Sequence, residues 1–126
     1  MAQALYKWTG ELTQPASWDS EFEAPQWYGS DADGNGYAYL DTGYAALCSS
    51  SNDDLATTTA TADKDWVKAN SPQAKEMDAN CVAEIRASYS IDDELKAHRT
   101  SDTATLTAIG DIVSGWAAKK NALVGD

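Results

Sequence analysis

Basic residues are scarce in this 126-residue chain: nine Lys and Arg stand against twenty Asp and Glu, for a net charge of −11. Residues 1–63 hold ten of the acids and a single base, Lys7, whereas residues 64–126 hold ten acids and eight bases, so the halves carry −9 and −2. A field of that sign repels phosphate backbones and anionic headgroups, which excludes nucleic acid and membrane surfaces as partners. Nowhere does a run of about eighteen apolar residues stand together, and "MAQALYKWTGEL" at the N-terminus lacks the apolar stretch of a signal peptide. The chain is therefore expected to be soluble and made in the cytoplasm.

Catalytic and metal-binding spacings are missing as well. Cys48 and Cys81 form no CxxC element and have no His nearby, so they read as two reduced or buried small side chains. The one histidine, His98, follows Glu94 by four residues on a helical stretch, where a surface ion pair or a ring turned into the helix pair explains it. There is no GxSxG element, no phosphate-cradling glycine loop and no HExxH. Carboxylates are plentiful, but sequence does not set the separation that a glycosidase pair requires. No catalytic residue and no cofactor is expected.

Turning to what is present, "SDADGNGYAYLDT" (Ser30 to Thr42) opens like a calcium loop, with Asp31, Asp33, Asn35 and Gly36 alternating as in an EF-hand. Its end does not fit, because the twelfth position is Thr42 and Asp41 falls one place early. The flanks "EAPQWYGS" and "YAYL" read as extended chain, and "NG" between them signals a β-hairpin turn. Asp31, Asp33 and Asn35 are thus weak metal candidates in a turn that needs no cation.

Three regions separate along the chain. From Ala2 to about Tyr44, short β-like runs ("ALYKW", "EFEAPQWY", "YAYLD") are broken by Gly10, Pro15, Pro25 and "DGNG". Residues 45–61, rich in Ala, Ser and Thr, show no strong period and receive no element. From Asp63 the chain turns helical. "ADKDWVKAN" predicts a short helix that stops before Pro72. Met77, Cys81, Ile85 and Tyr89 recur every four residues, Ser90 caps a new turn with Asp92, Asp93 and Glu94 behind it, and Leu106, Ile109, Val113, Trp116 and Leu123 form an apolar stripe. Lys119 and Lys120 suit the last turns of that helix, and Gly125 its end.

These patterns predict an α+β fold. A small N-terminal β-hairpin or irregular region (residues 1–62, acidic and aromatic) is followed by a helical region (63–126) that closes as an antiparallel helical hairpin near "HRTSD", the two packing as one unit. The expected hairpin core is Ile85, Leu95, Leu106, Ile109, Val113 and Trp116. Nine of the twelve aromatics lie in the first half, more than so short a sheet readily buries, so Trp8, Trp18, Trp27 and Tyr28 are expected at a protein interface.

The segment "YSIDDELKAHRTSDTATLTAIGDIVSGWAAKKNALVGD", roughly the last forty residues, resembles the C-terminal part of tailed-bacteriophage structural proteins of the tail and capsid-accessory kind. The shared features are an acidic helix start, a D/E-E-L-K-A-x-R-T element and an Ala-rich helix ending in "KKxAL". The resemblance implies a non-enzymatic virion component made in the host cytoplasm, homo-oligomeric and in contact with other virion proteins. A second reading of the first half is a small carbohydrate- or cation-binding module, with Trp18, Trp27 and Tyr28 stacking on a sugar and the Asp31 loop holding a cation.

Overall fold

The computed structural model describes residues 2–17 and 21–126. It is α+β, as the patterning predicts. Strands β1 (Gln3–Thr9), β2 (Gln26–Ser30), β3 (Asn35–Asp41) and β4 (Ala56–Thr57) form one antiparallel sheet in the order β2-β3-β1-β4. Helices α1 (Thr42–Ser49), α2 (Thr61–Asn70), α3 (Pro72–Ser88), α4 (Ile91–Thr100) and α5 (Thr103–Ala122) complete it.

The alternation of β3, "NGYAYLD", builds two cores rather than one. Tyr37 and Tyr39 pack on one face with Leu5, Tyr28, Val67, Ala74, Leu123 and Val124, while Ala38 and Leu40 pack on the other with Trp8, Tyr44, Ala45 and Cys48. The sheet is thus covered on both faces by its own chain: by α2, the start of α3 and the C-terminal residues on one side, and by α1 with Leu12, Phe22, Trp27 and Leu55 on the other. Gly36 is required by contact: opposite Trp8 in register, it lies under the indole, and an added Cβ would fall 2.4 Å from Trp8 Cε2. The expectation of excess aromatic surface is corrected here, because it counted one buried face where the fold supplies two.

The stretch without a period contains α1 and β4. Asp41 starts α1: its Oδ1 accepts the Gly43 N–H at 2.8 Å, and its Oδ2 accepts the Glu23 N–H at 3.1 Å. Read in sequence as the end of a strand, Asp41 is in fact both strand end and helix cap, and it is fully buried.

In the helical half, α2 ends at Asn70, and Ser71 caps α3 by accepting the Ala74 N–H, with Pro72 at the first helical position. At Ser90 the break is complete. Tyr89 is extended, and Ser90 and Asp93 form a reciprocal capping box, so α4 is a separate helix. The helical hairpin is present, with α4 as a separate short helix between its arms. The arms that pair are α3 and α5, tied by Trp116 Nε1 to Glu84 Oε2 at 2.5 Å and by Lys120 to Asp78 at 2.9 Å; the register, 116 beside 84 and 120 beside 78, makes them antiparallel. The turn from α4 to α5 uses Ser101 in the left-handed region and Asp102 as the next cap. At the far end, Leu123 and Val124 leave the helix and enter the sheet core, where the Tyr28 hydroxyl donates to the Leu123 carbonyl at 2.5 Å.

Candidate functional site

The Asp31 loop is a stapled hairpin turn. The Asp31 carboxylate accepts the N–H groups of Asp33 and Asn35, both at 2.9 Å, the Asn35 side-chain amide at 3.2 Å and the Tyr37 hydroxyl at 3.1 Å. Its lone pairs are turned inward on the loop. The left-handed residue is Gly34, while Asn35 and Gly36 begin β3, so the turn sits two residues earlier than "NG" suggests. Among the described residues no group of three His, Cys, Asp or Glu is placed to hold a metal ion.

Behind this turn lies a polar cluster that sequence reading missed. Tyr37 Oη stands 3.1 Å from Asp31 Oδ2 and 3.0 Å from Asp63 Oδ1, and Asp63 also accepts from Lys7 Nζ at 3.2 Å and Thr58 Oγ1 at 2.5 Å. Burial by itself would push the Asp63 carboxyl up; the hydrogen bonds from Thr58, Lys7 and Tyr37 outweigh it and hold the group below the usual carboxylate range. Asp31 is lowered in the same way, its loop hydrogen bonds outweighing desolvation. Burial, then the two carboxylates, raise the Tyr37 phenol well above its ordinary value. Trp66 stacks on Tyr37 at 4.9 Å, and beside it a cavity of about 470 Å³ opens between β2 and the α2–α3 corner, lined by Tyr28, Ser30, Asp31, Trp66, Asn70 and Lys75. Asp31 and Lys75 are the charged side chains in that lining. The cluster locks β1, β3 and α2 together.

Of the four aromatics expected at an interface, Trp8 is 8 % exposed and Tyr28 1 %, both inside the chain's own cores. That overturns their assignment to a partner contact. Trp27 is half-buried, edge-on to Trp8 at 6.1 Å and to Tyr44 at 6.3 Å. Trp18 lies outside the described residues.

Exposed apolar side chains are found instead on the helices. Of the five large ones among the described residues, four are on the arm formed by α3, α4 and α5: Val82 at 56 %, Ile91 at 61 %, Leu95 at 56 % and Val113 at 47 %; the fifth is Leu47. Ile85 and Ile109 are buried as expected, and Leu106 and Trp116 are partly so. Leu95 and Val113 are not core residues. On α4 it is Ala97 that is buried, and Leu95, two residues away, is turned about 160° from it. On α5, Trp116 and Lys120 are turned to α3, Ile109 is buried, and Val113, one turn after Ile109, is exposed.

Helical geometry locates this exposed side. With Ile85 and Ile109 as facing positions, Val82 on α3 and Val113 on α5 are rotated by about 40–60° toward the same side of the antiparallel pair, the side of the Asp78–Lys120 ion pair. Glu84 and Trp116 mark the other side, with Lys119 Nζ 3.7 Å above the Trp116 ring. Along the Val113 side of α5, Leu106, Gly110, Val113 and Ala117 follow one another at helical spacing without a charge, and all but the half-buried Leu106 are exposed. The sequence contains this second stripe, but Leu106 and Val113 merge with the Ile109–Trp116 stripe unless the exposure of each is known.

Comparison with protein-family models, with curated proteins and with solved structures gives no match.

Proposed function

We propose that this chain is a non-enzymatic structural or assembly component of a tailed-bacteriophage virion that acts through protein–protein contacts made by its helical arm. The observation that carries the contact surface is the placement of Val82, Ile91, Leu95 and Val113 in solvent on α3, α4 and α5, while the aromatic sheet is closed over by its own chain. The virion setting is supported by the resemblance of residues 89–126 to phage structural segments. The carbohydrate- or cation-binding reading has less behind it: Trp27 is packed edge-on between two rings, and the Asp31 carboxylate is occupied by its own loop.

The test is incorporation into particles. Virions produced from a genome carrying the parent gene should contain the chain after gradient purification, and a Val82→Asp, Val113→Asp variant should stay in the unassembled pool while retaining its fold. A chain absent from purified particles, or a double variant incorporated like the parent, would contradict the proposal.

A further inference from the structure

We infer that the uncharged stripe of α5, with the neighbouring edge of α3, is the contact surface for a second copy of this chain, the two arms lying antiparallel across a twofold axis. The inference rests on the arm being an interface, as proposed above, and names its occupant.

Gly110 supplies the first argument. Glycine in the interior of a helix costs stability relative to alanine and, lacking a Cβ, lets another backbone come close. Among the described residues no atom outside its own helix backbone lies within 4 Å of a Cβ built on Gly110; the same holds for Gly115, so it is the apolar surroundings of Gly110 that set its side of the helix apart. It lies in the middle of the Leu106, Gly110, Val113, Ala117 stripe, where a helix from another molecule would come close.

Charge decides which molecule. The acidic field of this chain rewards a basic partner, but the stripe offers such a partner no anion; of the flanking charges Asp78 is matched with Lys120 and Arg86 with Glu94, and Lys75 lies at the sheet end of α3. A surface without net charge is suited to an identical uncharged surface. Residues 1–71 hold eleven acids and three bases, and residues 72–126 nine and six, so the sheet end carries −8 and the arm −3. Because the C-terminal end of α5 docks in the sheet, a parallel pair of arms would bring two −8 regions together. An antiparallel pair sets them apart by about the length of a 20-residue helix, roughly 30 Å, several Debye lengths at physiological salt.

A face about 30 Å long and two helices wide, roughly 20 Å, offers on the order of 600 Å² per copy, at the lower end of specific interfaces.

The two glycines of α5 provide the test. Gly110 and Gly115 both stand in open space, so an arginine at either is compatible with the fold, yet they point to sides of the helix about 140° apart. Sedimentation equilibrium of the parent should give a monomer–dimer equilibrium. Gly110→Arg should weaken it by about tenfold or more, on the cost of opposing like charges across a close contact, with a melting temperature no lower than the parent's. Gly115→Arg should leave it unchanged. A parent that stays monomeric up to about 1 mM would overturn the inference, and so would equal effects of the two substitutions. A monomeric parent that still enters virions would overturn the second copy while leaving the proposed function standing.

Discussion

The two ends of this molecule bury their apolar residues in different ways. At the sheet end, two clusters on opposite faces hold Leu5, Tyr28, Tyr37 and Val67 on one side and Trp8, Leu40, Tyr44 and Cys48 on the other, all at 8 % exposure or less. In the arm beyond Met77, full burial reaches only Ile85, Ala97 and Ile109 until the chain returns to the sheet at Leu123. The sheet end is self-sufficient, and the arm is a pair of long helices with one thin seam and a short third helix across its end. Aromatic richness does not by itself mark a contact surface here, because a two-faced sheet with helices on one side and α1 on the other packs Trp8, Tyr28, Tyr37 and Tyr44 within the chain.

The largest expected effect lies in the sheet. Trp8→Ala removes an indole packed over Gly36 and beside Trp27, and should cost about 3–5 kcal/mol in chemical denaturation, with no specific effect on association of the remaining folded chain. Loss of dimerisation at unchanged stability would return Trp8 to the interface. In the arm, Ile109→Asp places a charge at the buried position of α5 and should cost about 3 kcal/mol, expressed as lost helicity in α3–α5 before the sheet melts. A variant that melted like the parent would show that the seam contributes nothing.

A smaller effect, confined to acid, should separate the polar cluster from the rest. In the folded chain Asp63 and Asp31 both titrate below the ordinary carboxylate range, so the stability they contribute is complete above about pH 4 and is lost as pH falls through the folded values. Asp63→Asn should lower the melting temperature at neutral pH and flatten its decline in acid. If the acid decline of the variant kept the slope of the parent, Asp63 would not be the group that ties β1, β3 and α2 together. The smallest expected effect is none: calcium titrated calorimetrically into the parent should show no tight site, because the Asp31 oxygens are already engaged within the turn. Submicromolar binding that disappears in an Asp31→Ala, Asp33→Ala variant would reverse that conclusion.

Local signals in the sequence specify an element where one residue has one task. Pro72 after Ser71, the Ser90–Asp93 capping box and the alternation of "YAYL" each specify an element by short-range chemistry, and each element is present. Residues with two tasks were misread. Asp41 ends a strand and caps α1, so α1 went unassigned; Gly36 looked like a turn residue but makes room for Trp8. The Asp31–Tyr37–Asp63 cluster joins residues up to 32 positions apart through the β3 register, and no periodicity encodes such a contact. On α5, two apolar stripes lie side by side, and only the position of α3 shows which one is buried.

Hydrogen exchange followed residue by residue at low and high protein concentration tests the contrast between the two ends most directly. Amides of β1 and β3 should exchange at rates independent of concentration, since the sheet is closed by its own chain, whereas amides of α5 from Thr103 to Ala118 should gain protection as concentration rises and a second copy covers the Val113 side. Equal protection of both regions at every concentration, or a concentration-dependent gain in the sheet instead, would contradict the account.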